Sequence, residues 1–424
     1  MKNYLKFGMA GLCILAVLGS AGCTQKEEGA FQPGLDTQQK VVLNTTGFFG
    51  NFEALDMVTA DFNQYYPNVE FVYEQVSVEN YEEYLDANPG VDILMTSEEV
   101  FDKLGGRLED FCTDLSKEEI DLGSLEEDLL QMGYHNGELS CIPMGQNLYG
   151  LIVNVSLLEK EGLSVPSNYE EFLEVLAALK EKGYVPIQGP DKKVYAELTQ
   201  SMVYDLILQD QELYANLMAG NQAAADALLP AFDILNTFIE NGYTDQTVNE
   251  SYPADNYDQA ILRFFEGDVP FWVCNTEKVS GMKKRESKSE AFQANPFEYT
   301  YIYAPIGEKG VYAFREPWFG FAVNKYSDEY DYAMEFMRFL ATRDEINKMA
   351  DIKGVPSVAV EKSDVAIYKN VLDPEKAQEV CVNDGTITPA MVSAWYSCTN
   401  LFATGEITSA REALEFFVSQ CAQK

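Results

Sequence analysis

The 424-residue chain carries 68 acidic against 30 basic side chains, one histidine and a formal charge of −38. Such a surface repels phosphate backbones and anionic lipid, which excludes nucleic acid as a partner and bare electrostatic docking to a membrane. One histidine cannot supply a histidine-rich metal site, and a serine–histidine pair would have to use it.

In chain order, Lys2 and Lys6 precede an apolar run over residues 7–18, then Gly19, Ser20, Ala21 and Gly22. That is the pattern of a secretory signal, residues 1–22, and the run is too short for a membrane span of about 20 residues. Ser20-Ala21-Gly22-Cys23 resembles a bacterial lipobox, with Ser20 where an aliphatic residue is usual. The resemblance implies lipid attachment at Cys23, with residues 23–35 as a polar tether. Plain secretion after nearby cleavage is the alternative. Six later cysteines (Cys112, Cys141, Cys274, Cys381, Cys398, Cys421) contain no C-x-x-C pair, and either disulfides or buried thiols fit them.

Val41-Val42-Leu43-Asn44 reads as a strand, residues 52–66 as a helix with Phe52, Leu55, Val58, Phe62 and Tyr65 at helical spacing, and 69–76 and 91–95 as strands. This order predicts an α/β fold with a mostly parallel sheet. Ligands then lie beyond the strand carboxyl ends, near residues 45–49 and 96–99. A second unit starts near Leu148. Leu151-Ile152-Val153 is a strand, and Ser167 with Glu170 has capping-box spacing before a helix ending at Gly183. Helices dominate 196–240. Strands are expected at 270–273, 299–303 and 319–323, and helices at 329–342 and 409–421. His135 falls in a surface turn.

Several fragments in order resemble the family of extracellular solute-binding proteins that serve carbohydrate ABC importers, which includes maltose-binding proteins. They are Phe62-Asn63-Gln64-Tyr65-Tyr66-Pro67-Asn68-Val69, Gly137-Glu138-Leu139-Ser140-Cys141-Ile142-Pro143, Leu151-Ile152-Val153-Asn154 with residues 163–172, Phe265-Glu266-Gly267-Asp268, residues 333–340, and Gly354-Val355-Pro356. The resemblance implies a periplasmic-binding-protein-like α/β fold of two lobes with a hinge of crossover strands. Lobe 1 would be residues 36–145 and 304–352, and lobe 2 residues 148–300 and 358–424. Crossovers would fall near 143–147, 301–306 and 353–358. It also implies a monomer on the extracellular face of the cell membrane, capturing an oligosaccharide for a permease.

A sugar site needs aromatic platforms and polar rims. Of three tryptophans, Trp318, between Pro317 and Gly320 at an expected loop-to-strand junction, and Trp395 would face the cleft from opposite lobes; Trp272 reads as core. Phe48 beside Gly47, Thr96, Ser97 and Glu98 after the third strand, Gln146 and Asn147 at the first crossover, and Asn275 and Glu277 past a strand complete the candidate set. Ser97 reads equally as a helix cap. No G-x-S-x-G, P-loop or H-E-x-x-H occurs, and the family resemblance, rather than the residues, implies a binding protein without catalytic residues, metal or cofactor. A secreted glycosidase with two carboxylates, a glycan-binding adhesin, or an importer protein for a peptide or polyamine are the alternatives.

Overall fold

The computed structural model describes residues 31–50, 52–190, 193–252, 257–307, 310–363, 365–369, 371, 377–383 and 385–422. The signal segment, Cys23 and most of the tether lie outside the described residues. Residues 33–424 form one compact unit.

Strand β1 (Val41–Gly47) alternates, with Val41, Leu43 and Thr45 inward and Val42 and Asn44 outward. Helix α1 (Glu53–Tyr65) buries Ala54, Leu55, Val58 and Phe62 at helical spacing and ends two residues before Pro67. Strand β2 (Val69–Gln75) and the wholly buried β3 (Ile93–Thr96) flank β1 in parallel, as the alternating pattern predicts. Helix α2 (Glu98–Leu104) follows β3. β4 (Tyr134–His135) and β5 (Glu138–Leu139) form a hairpin whose turn residues Asn136 and Gly137 both have positive φ, the demand of a tight primed turn. His135 is thus a strand residue beside that turn, stacked on Phe101.

The 13-residue β6 (Ile142–Asn154) is buried throughout and changes partners along its length. Helix α3 (Tyr169–Glu181) is capped by Asn168, which accepts from the Glu171 N–H, while Glu171 reaches back to Ser167. The capping box therefore sits one residue later than Ser167 and Glu170 suggested, because Asn168 is the better-placed acceptor. Helix α4 (Lys193–Gln209) is almost wholly buried, and α5 (Ala223–Glu240) packs beside it. β7 (Ile187–Gln188), β8 (Phe271–Asn275) and β9 (Tyr299–Tyr303) complete the pairing around the second half of β6.

β10 (Val311–Val323) runs unbroken where only residues 319–323 were expected as strand. Its first residues pair in parallel with β11 (Ala377–Val382), its middle with β6 and its end with β3. β6 and β10 are therefore the strands on which the curled sheet of this two-lobed α/β fold turns from one set of partners to the other. Helices α6 (Tyr330–Leu340) and α7 (Arg343–Lys353) follow, the latter stopped by Gly354 in left-handed conformation. α8 (Pro389–Ala403) and α9 (Ala410–Cys421) close the chain against α4 and α5.

The segment leading into β1 is tied down by Glu335 of α6. Its carboxylate accepts the Gly34 N–H at 2.7 Å and bonds Tyr66 and Arg338. Cys112, Cys141, Cys274, Cys398 and Cys421 are buried thiols rather than disulfides.

Candidate functional site

An irregularity in β10 builds one wall. Pro317 pairs with Gln146 and Phe319 with Gly145, so Trp318 is the extra residue of a bulge. Pro317, which has no N–H to give a ladder, is tolerated at such a point. Trp318 is half-buried in mid-strand rather than at a loop-to-strand junction. Its ring meets Phe49 at 5.0 Å and Phe319 at 5.5 Å, and the Lys353 ammonium lies 4.7 Å from its centre. The aromatic partner is Phe49, not Phe48. Phe48 turns away toward the cluster around Val76 and Tyr81, because consecutive residues past β1 point to opposite sides.

Beside Trp318 a pocket of about 300 Å³, including the part open to solvent, is lined by Thr96, Ser97, Glu98, Phe101 and Cys141. Three predicted residues from the end of β3 thus meet one from β10. Ser97 also caps α2, accepting from the Val100 N–H at 3.3 Å. Burial, the nearby Glu316 and Asp102 push Glu98 up to about 7.

A second, buried polar cluster was not foreseen. Glu316 accepts the Tyr149 hydroxyl at 2.6 Å and the Asn147 amide at 3.4 Å, and burial raises its pKa. Tyr396 of α8 stands in the same neighbourhood and donates to Glu197 of α4 at 3.0 Å. Glu197 is 2 % exposed, and burial raises its pKa too. Glu197, Gln200, Ser201 and Tyr204 recur at i, i+3, i+4 and i+7, a polar stripe on a buried helix whose other buried residues are apolar apart from Thr199 and Asp205. The Gln200 amide and the Ser201 and Tyr204 hydroxyls are buried without a protein partner. That stripe was the available signal in the sequence, since a buried helix is ordinarily apolar all round. α8 also comes within 8 Å, Cα to Cα, of α2, which carries Glu98.

Other predicted residues serve the frame. Gln146 is fully buried, donates to the Ser357 carbonyl and accepts from Arg315 at 3.4 Å. Asn147 is spent on Tyr149, Glu316 and Thr276. Asn275 caps a short helix through the Lys278 N–H, and Glu277 pairs with Lys278 at 2.9 Å. Trp395 does not face the cleft. It is 0 % exposed, held edge-on by Phe232 and Phe417 in the core beneath α8. Trp272 is core, as expected, at 1 % exposed.

A wider groove of about 820 Å³ lies elsewhere, against β9, lined by Val155, Val165, Pro166, Ile302 and Tyr303. No candidate residue reaches it. Among the described residues no helix is long and apolar enough to cross a membrane, and no group of three His, Cys, Asp or Glu side chains is placed to hold a metal.

Residues 58–370 match the family described as bacterial extracellular solute-binding protein. No curated protein matches the sequence. Among solved structures, a family 1 extracellular solute-binding protein from Bifidobacterium longum subsp. infantis is similar, with TM-score 0.68 and 16% identity over 91% of this chain and 100% of that one. RafE in complex with raffinose gives TM-score 0.66 and 15% identity over 90% and 100%; RafE is from Streptococcus pneumoniae. A sugar transporter from Bacillus licheniformis in complex with stachyose gives TM-score 0.62 and 16% identity over 89% and 98%.

Proposed function

The chain belongs to the bacterial extracellular solute-binding protein family, and from that premise we propose that it captures an oligosaccharide between two lobes and delivers it to an ABC permease. The observation that carries this reading is the half-buried Trp318 set by a β-bulge beside Phe49, over a pocket rimmed by Thr96, Ser97 and Glu98. An indole face covers the C–H side of a sugar ring, while hydroxyls and carboxylates take its rim. The oligosaccharide complexes of similarly folded proteins support the same class of ligand.

The lobes in this proposal are residues 36–145 with 304–352, and 148–300 with 358–424. Ligand touching both shifts an open–closed equilibrium toward closure, with β6, which runs from the first lobe into the second, as the flexing strand. The protein works as a monomer, held at the outer face of the membrane by lipid on Cys23.

Calorimetric titration of the purified chain with a panel of neutral oligosaccharides tests the reading. Binding with chromatographic recovery of the glycan unchanged is expected. Failure of every saccharide to bind, with tight binding of a peptide, refutes the sugar assignment. Labelling with radioactive palmitate in cells, lost in Cys23→Ala, checks the anchor.

A further inference from the structure

Glu98 on α2 lines the pocket, Glu316 on β10 directly precedes its lining residues Pro317 and Trp318, and Glu197 on α4 shares the buried Tyr204 with Glu316 as neighbour. The hydrogen-bond donors to Glu316 and Glu197 are neutral. Glu316 receives Tyr149 and Asn147, Glu197 receives Tyr396, and Glu98 faces Glu316 and Asp102. Among the described residues, Glu98 and Glu316 have no ion pair to a cation. Arg315, next in sequence to Glu316, instead pairs with Glu126 at 2.8 Å. Lys193 and Lys278 lie near Glu197 without an ion pair to it among the described residues, and Lys278 is held by Glu277 at 2.9 Å.

An acidic group alone would not identify a ligand. The stripe on α4 adds an independent sign. The Tyr204 hydroxyl, in a side chain 0 % exposed and beside both Glu316 and Glu197, has no protein partner, nor has the equally buried Gln200 amide. Buried polar groups are ordinarily paired, so this cluster is shaped for polar ligand atoms. A neutral sugar hydroxyl would satisfy hydrogen bonds there but leave like charges facing each other at low dielectric. An ammonium group donates three bonds and cancels charge, and charge-assisted bonds are the stronger kind.

Building on the oligosaccharide reading, we propose that the ligand carries a free protonated amine on a sugar ring, and that Glu98, Glu316 and Glu197 recognise it. The neutral donors to Glu316 and Glu197 then have a purpose: they hold these carboxylates in place without competing for the cation.

The test is calorimetry of the full mature chain at pH 7 against matched tetrasaccharides of α-1,4- and β-1,4-linkage. Within each series the same ring position carries a hydroxyl, an acetamido group or a free amine, and spermidine serves as the amine without sugar. The free-amine member of the bound series is expected to bind at least about tenfold tighter than its hydroxyl counterpart. That ratio should shrink in Glu98→Gln and in Glu316→Gln. Equal affinity for amine and hydroxyl members overturns the inference and leaves the saccharide reading standing. Spermidine bound tightly with no tetrasaccharide bound overturns the saccharide reading instead. No binding by any free-amine probe also overturns the inference.

Discussion

Trp318 and Phe49 meet with ring centroids 5.0 Å apart, and the Lys353 ammonium lies 3.8 Å from the centre of the Phe49 ring. Trp272 and Trp395 are sealed in cores at 1 % and 0 % exposed. Any change in tryptophan emission on ligand binding is therefore expected to come from Trp318. Trp318→Phe should abolish the change, and Trp318→Ala should weaken binding by roughly 1–3 kcal/mol, as loss of an aromatic anchor does. An emission change that survives in Trp318→Phe would place the ligand elsewhere.

Trp395→Ala is expected to act on stability. The indole fills a space between Phe232 and Phe417, and emptying it should cost about 3–5 kcal/mol, read as a lower urea midpoint at unchanged slope. A midpoint within experimental error of the parent would contradict this placement.

These two tryptophans show how far local pattern reaches. β1, α1, β2 and β9 were legible because alternation and helical spacing are local and their neighbours agree with them. Helix α8 was not readable to the same depth. Trp395 and Tyr396 are adjacent, about 100° apart around the axis, and nothing local says which of two aromatics faces the core. The fold turned Ala394, Trp395 and Cys398 inward and gave Tyr396 to Glu197. The length of β10 was hidden for another reason. Arg315-Glu316-Pro317 breaks the apolar pattern, and only pairing with β6 and β11 holds those residues extended. That Thr96, Ser97 and Glu98 line a pocket was legible because the end of a parallel strand follows from topology, whereas the α4 stripe is assembled by packing distant in sequence.

Glu98 should make the unliganded protein less stable as pH rises. Its pKa is raised from 4.5 to about 7 by burial, with Glu316 on β10 and Asp102 on its own helix adding repulsion. Between those values the native state holds a proton that the unfolded chain has released. The stabilisation is complete below about pH 4.5 and is lost as pH climbs through 7, by about 1–3 kcal/mol. Glu345, also raised to about 7, adds a slope of the same sign, so the readout is a difference. Glu98→Gln should flatten the fall in urea midpoint between pH 5 and 8 relative to the parent. Identical slopes would mean Glu98 titrates normally.

Glu335 should govern the order of the segment leading into β1. Its carboxylate takes the Gly34 N–H at 2.7 Å while also bonding Tyr66, and it is 6 % exposed. Glu335→Ala strands those donors and the Arg338 cation, a loss of about 1.5–3 kcal/mol for a charge-assisted bond. Amides of residues 34–39 are expected to exchange hydrogen faster in the variant while β1 stays protected. Unchanged exchange at Gly34 and Leu35 would show that the clamp does not hold the segment.

Alanine at two glycines of β6 should have unequal effects. A Cβ at Gly150 would lie 2.1 Å from the Ile302 carbonyl oxygen of β9, and its three nearest atoms are all β9 backbone, which has no side-chain freedom to yield. Gly150→Ala should cost more than the roughly 1–3 kcal/mol of ordinary overpacking, because a strand must move rather than a side chain. A Cβ at Gly145 meets the Val355 Cγ2 at 2.9 Å, a side chain able to shift. Gly145→Ala should therefore fold, with a loss no greater than that overpacking range. Gly145 also bridges Ser357 just past α7, on the strand proposed to flex, so its methyl group should change ligand affinity more than stability. Urea melts and calorimetry on both variants separate the two effects. A Gly150→Ala protein as stable as Gly145→Ala would show that β9 is not held as tightly against β6 as the 2.1 Å approach requires.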